Sequence, residues 1–560
     1  MKKHAILLFT VLLLSAGCRD PLRQEGQNRE DVPPPEAVNT ILRATRPHSN
    51  PVQKINFTGN NNTLQISLDG LENHSVFLVK VNTSSQNVTH NATGHAFKRR
   101  SRSEVRFLDG FPVMNTVNRN LTERNTAEIP QRNHRGAERF NANPPPFNPP
   151  RALSRNVTAA PLSFTVGGQR KFWVEDKNGN WTEIYATLSA TSEHSNIWVA
   201  NDNWDIASDV NNDNKLNQSQ TQSMADNFDL IYRYTTAIFG YEFGGGIPPT
   251  HNDFGGIDGD PKIQILVYDI DFDFGDDSRT SVVLGYFWAK DMYDQAFLDN
   301  SDSDLRSNKA EIFYIDSEWA DKTPARTYST LVHEFQHMIN FNEKYLKTGR
   351  ISSVWYNEML SLLAEDIISP LIGIPENYRP VKERIPLFLG AYDTAGVTEW
   401  RQDTVSYSNV FAFGAYLARN FGGANFVKDV ALNDQIDVAS LNLALQNHRT
   451  SFTQALSRYG EALIFSGVHK PVGVNSFDRM ITQNINNTHY TFYDFDIWNM
   501  THGEGFGNGP VVWNLDWVFS MPPHSIIVQS FDEWQGVTGR LEMTAQRPTN
   551  SAVDLYLMIR

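Results

Sequence analysis

Apolar and polar positions change their period several times along the chain. An unbroken apolar run over residues 5–14 follows Lys2 and Lys3 and ends in Ser15-Ala16-Gly17-Cys18. Residues 18–50 carry little periodicity and include Pro33-Pro34-Pro35, the pattern of a flexible tether. Short alternating stretches at 63–68 and 76–81 predict a small β region over 51–96. Strand-like runs recur at 170–175, 183–190 and 197–200. A helical pattern over 218–238 follows, with Met224, Phe228, Ile231 and Tyr232 on one face. Residues 262–270 read as a buried strand and 309–316 as a second. Helical periodicity dominates from about 326 to 470. Strands return at 511–519, 525–530 and 554–559. There is no internal repeat. The order of elements predicts an α+β fold, with a main domain over 161–470 that joins a mixed-sheet part to a helical part, and a β region at 471–560.

Residues 1–17 have the make-up of a secretory signal: a positive start, a short apolar core and a small-residue exit. The core is too short to span a membrane, which takes about 20 apolar residues. Cys18 directly after the small residues resembles a bacterial lipobox, which implies lipidation of Cys18 and attachment to a membrane surface. The alternative is an ordinary export signal with an incidental Cys. Composition narrows the classes further. In 560 residues there is one Cys, 40% apolar content and a formal charge of −14. These exclude a multi-span membrane protein, a disulfide framework and a Cys-rich zinc finger. The acidic balance argues against nucleic acid as a partner. Against it stands the Pro-rich segment 97–160, where twelve Lys and Arg face five acidic residues, a local charge of +7. It reads as an exposed linker, as a pro-segment with a cleavable Lys98-Arg99-Arg100, or as a basic strap on an acidic catalytic face.

The chemistry concentrates in Leu331-Val332-His333-Glu334-Phe335-Gln336-His337-Met338-Ile339. At about 100° per residue the two His rings fall within about 40° of each other, with the apolar residues opposite. Glu334 lies at the edge of the His face, where it reaches a metal-bound water without filling the coordination shell. A catalytic zinc takes a third protein ligand and keeps one position open. Glu358, 21 positions after His337, lies on the next apolar helix with Ser361, Leu362 and Glu365 on its face. That spacing lets the first helix end near Lys347-Thr348-Gly349 and the second pack back against it. Glu358 is the expected third ligand. Glu365 is either a group that orients a His N–H or a competing ligand.

His333 to His337 with Asn357-Glu358-x-x-Ser361 resembles the gluzincin metallopeptidases, the thermolysin-like clan, and is most similar to the hyicolysin family of bacterial neutral metalloproteases. The firm part of the likeness covers about residues 328–368. It implies a zincin-like core, zinc on His333, His337 and Glu358, Glu334 as general base, and protein or peptide substrates. It also implies a Tyr or His that stabilises the oxyanion, for which Tyr407 is the first candidate and His448 and His469 are weaker ones. The 309–316 strand is read as either the rim strand that pairs with extended substrate or an ordinary sheet strand. Calcium is a second candidate ion: Asp209 to Asn217 place oxygens in a calcium-loop pattern, but Gln220 stands where a bidentate Glu is expected, and an Asx-rich turn explains the same residues. Two rivals remain to the exported, lipid-anchored zinc endopeptidase. One is a surface adhesin with an idle zincin-like domain, and the other is a zinc hydrolase acting on a non-peptide bond.

Overall fold

The core of the protein is a six-stranded mixed sheet. Its strand order is Gly285–Phe287, Ile312–Asp316, Ile263–Tyr268, Ser195–Ala200, Trp181–Thr191, Gln169–Glu175. The computed structural model describes residues 42–44, 51–60, 62–68, 71, 74–90, 96–98, 133–147, 163–207, 212–245, 256–301, 304–468, 470, 472–502, 508–513, 519–530 and 541–560. Cys18, His469 and Asp209 to Asn211 lie outside them.

Ile263–Tyr268 is parallel to both its neighbours and buried at every position. That is why its sequence is a continuous apolar run rather than an alternating one. One sheet face packs on Met224, Phe228 and Ile231 of the Gln218–Phe239 helix and on Leu331, Phe335 and Ile339 of the Pro324–Asn340 helix. Each of these side chains stabilises the fold by roughly 1.5–3 kcal/mol through burial. The other face packs Trp198, Leu266, Tyr268 and Tyr314 against Tyr286, Trp288 and Ala137.

The Ile312–Asp316 strand is interior, with neighbours on both sides. The edge of the sheet is the three-residue strand Gly285–Phe287, antiparallel to it. Gly285 lets this edge close on the helix beneath: a Cβ there would lie 2.7 Å from the Tyr314 carbonyl and 2.8 Å from the Thr330 methyl.

Below the sheet the Val354–Ile368 helix packs back on Pro324–Asn340 after a π-helical turn over Phe341–Leu346. The Thr404–Asn420 helix crosses it at Gly414, where a Cβ would meet Met359 Cγ at 2.8 Å. A buried ion pair, Arg419 to Asp366 at 2.9 Å, ties the same two helices. The predicted 218–238 helix is observed as Gln218–Phe239. Gln220, the residue that broke the calcium pattern, closes a capping box with Asn217 and donates to Asp321.

The β regions on either side of this domain pair with each other. One sheet has the order Leu42–Ala44, Thr63–Leu68, Leu541–Gln546, Ala96–Lys98, and the other Ile526–Ser530, Val76–Asn82, Val553–Ile559, Val52–Lys54. Leu78, Leu555 and Leu557 fill the space between the sheets, while Phe77, Val79 and Val81 face the main core. Val76–Asn82 is therefore buried on both faces.

Candidate metal centre

The Pro324–Asn340 helix carries His333 and His337 one turn apart, and its apolar face holds it against the sheet. Their rings lie 4.6 Å apart at 83°. Glu358 reaches them from the facing Val354–Ile368 helix. Its Oε2 is 3.1 Å from His333 Nε2 and its Oε1 3.6 Å from His337 Nε2. One ligand atom from each of the three residues lies within 4.8 Å of the others.

The outer contacts fix how each ring points. Glu365 Oε1 is 2.8 Å from His333 Nδ1, and Ser329 Oγ donates to Glu365 Oε2 at 2.7 Å. On the other ring, Ser361 Oγ lies 3.0 Å from His337 Nδ1. The single Ser361 proton is donated to Gln336 Oε1. Ser361 Oγ must then accept from His337 Nδ1–H. Both Nδ1 atoms are thus engaged outward, and both Nε2 atoms face Glu358, with His333 Nε2 within hydrogen-bond distance of its Oε2. Two imidazoles and one carboxylate converging on one point are a donor set that fits a divalent metal ion.

Burial shapes the charges here. It pushes the Glu334 carboxyl up to about 8, opposed by the charge of His333 and by the backbone of Phe287 on the edge strand. It pulls His337 down to about 4. On Glu358 burial acts upward as well, but His337 and His333 outweigh it and hold the carboxyl low.

Tyr407 sits in the first turn of the Thr404–Asn420 helix, whose N-cap is Asp403. Its ring packs against Trp400 at 4.8 Å. It lines one cavity with His333 and Glu334, and among the described residues its buried hydroxyl has no hydrogen-bond partner. His448 packs on the rings of Phe421 and Phe426 and is not among the residues lining that cavity.

A second wall of the site comes from a segment read as linker, pro-segment or strap. Asn133 and Glu138 line the same cleft as Glu334, His337 and Glu358. Asn133 Nδ2 donates to Glu358 Oε1 at 3.1 Å. Nothing in the sequence around Asn133 announces this: the Arg135–Asn141 helix is seven residues long and followed by prolines.

The peptidase M30 family profile matches residues 176–477, more than half of the chain. The chain belongs to the peptidase M30 family. A neutral metalloprotease of Staphylococcus hyicus, ShpI, is 28% identical over 316 residues, which is 52% of this chain and 62% of that protein. The match therefore covers less than two thirds of the relative's length. The likeness to hyicolysin-like neutral metallopeptidases drawn from the motif holds. The M30 match takes in every strand of the central sheet except Gln169–Glu175 and all the residues that surround Glu358 from the helical side. It leaves out residues 133–147 and the paired terminal strands.

Proposed function

We propose that this M30 chain is a zinc-dependent endopeptidase with a zincin-like core, exported and held at a membrane surface through Cys18. The observation that carries the catalytic part is the convergence of His333, His337 and Glu358 within 4.8 Å. When bound, zinc supplies Lewis acidity, which makes water a nucleophile at neutral pH and polarises the scissile carbonyl. Glu334 is buried one residue from a ligand; a bound dication would hold its carboxyl ionised despite that burial, and in that form it takes a proton from the attacking water and hands it to the departing amine. The Tyr407 hydroxyl, which has no partner among the described residues, donates to the carbonyl oxygen as charge develops there. An extended peptide adds to the Gly285–Phe287 edge strand by main-chain hydrogen bonds. Export and anchoring rest on the pattern of residues 1–18 alone. Among the described residues no helix is long and apolar enough to cross a membrane.

The test combines zinc content with cleavage of casein by wild type and by Glu334→Gln. A wild type that binds zinc and cuts no protein removes the endopeptidase reading. Wild type and Cys18→Ala separating alike between membrane and soluble fractions removes the anchor.

A further inference from the structure

We propose that residues 133–147 are an intramolecular occupant of the substrate cleft, so that the chain folds in a self-blocked form and takes peptides only when this segment leaves. The proposal rests on the peptidase reading above.

The contacts of the segment fall where a substrate would bind. Asn133 Nδ2 donates to Glu358 Oε1 at 3.1 Å, on the carboxylate that faces both imidazoles. Asn141 grips the sheet edge with both ends of its amide: Nδ2 donates to the Phe287 carbonyl at 2.7 Å, and the Ala289 N–H donates to Oδ1 at 2.8 Å. An added peptide strand competes for the same kind of backbone groups. Between these two points the His134 ring stacks on Tyr286 at 4.2 Å, and the Trp400 indole donates to Glu138. Beyond them the Tyr293 and Tyr345 hydroxyls donate to the Pro145 carbonyl at 2.7 and 2.6 Å.

The segment is a poor substrate for the site it covers. Arg135–Asn141 is helical, so it presents no extended peptide bond to Glu334. It is also tethered. Upstream, Ala96–Lys98 pairs with Leu541–Gln546, and downstream the chain runs into the main domain. A cut on one side leaves the segment attached on the other at high effective concentration. Full release takes a cut on each side, and Lys98-Arg99-Arg100 offers a basic one upstream.

The experiment uses the zinc-loaded full chain and the triple variant Asn133→Ala, Glu138→Ala, Asn141→Ala. Binding of a small peptide hydroxamate is followed by calorimetry and hydrolysis of a quenched peptide by fluorescence. Losing a hydrogen bond to a carboxylate shifts an equilibrium about tenfold, so hydroxamate affinity is expected to rise by about tenfold or more. A second form carries site-specific protease sequences on both sides of the segment and is cut only after folding, which keeps the test valid if the triple variant misfolds. Excision is expected to raise both hydroxamate affinity and turnover. Unchanged or weaker hydroxamate binding after excision overturns the occupant. Tighter hydroxamate binding without peptide hydrolysis leaves the occupant standing and removes the peptidase reading. Peptide hydrolysis that is present and equal before and after excision, with hydroxamate affinity unchanged, leaves the peptidase reading standing and removes the occupant.

Discussion

Two places in this fold take carboxylates out of water, and they meet the loss of solvation differently. At the candidate metal centre, Glu358 faces His333 and His337, and attraction to the two imidazoles with the His333 hydrogen bond outweighs burial, so the carboxyl is held low. In a second cluster, Glu311 directly precedes the Ile312–Asp316 strand and is buried with Glu242 and Asp258 near it and little cationic help. Burial pushes Glu242 up to about 7 and Asp258 up to about 6, and it pushes Glu311 well above the usual carboxylate range. Backbone N–H groups and Tyr232 answer part of this: Ile257 N donates to both Glu311 oxygens, and Tyr232 donates to Glu242. Arg170 lies 3.6 Å from Asp258. The lesson is that buried acids alone do not make a metal site. In the second cluster burial shifts the acids toward their neutral forms, while in the first a carboxylate and two imidazoles converge on one point.

Substitutions can break or sharpen that contrast. The largest effect is expected from Glu334→Gln, with peptide turnover down about 10³-fold while zinc content by atomic absorption stays at the wild-type level. Joint loss of zinc and turnover would instead make Glu334 a ligand. Tyr407→Phe should lower kcat about 10²-fold with little change in KM, the signature of an interaction made in the transition state. A rise in KM alone would assign the hydroxyl to substrate binding. Glu365→Gln should weaken zinc by about 10- to 100-fold in a chelator competition, because His333 loses the carboxylate that orients it. Ser361→Ala belongs at the low end of that range, since a hydroxyl is the weaker anchor.

The smallest effect lies in the second cluster, and there the sign is opposite. Folded Glu242 keeps its proton up to about pH 7, whereas the unfolded chain releases it near an ordinary Glu value. Between those values the folded state binds more protons, so stability falls as pH rises. Glu242→Gln should flatten that limb and add on the order of 1 kcal/mol at pH 8, read by urea unfolding. A destabilised variant with the same pH slope would show that Glu242 is a charged structural group.

The centre was legible in the sequence because its parts are local. His333 and His337 are one turn apart, and Glu358 and Glu365 are two turns apart on the next helix, so wheel geometry and the spacing between the helices pointed to all four, with the role of Glu365 left open. The sheet edge was not legible. Residues 309–316 carried the apolar pattern, but which strand is outermost depends on pairing, and three residues at Gly285–Phe287 give almost no periodic signal. Asn133 was equally hidden, because a helix of seven residues in a basic, Pro-rich stretch is held by what it touches rather than by its propensity.

The pairing of the outermost strands carries a consequence for the order of folding. Gln65 and Thr544 bond across 479 positions, so this sandwich cannot close until the last strands of the chain are made. Loop-closure entropy grows only slowly, by about 0.6 kcal/mol per doubling of length, and a folded middle shortens the gap in any case. What remains is a delay during which Val76–Asn82, which the finished fold buries on both faces, waits unpaired and is a stretch exposed to mispairing. Pulse-labelled hydrogen exchange during refolding should show its amides protected after those of the Pro324–Asn340 helix; simultaneous protection would mean that sandwich and core close in one step.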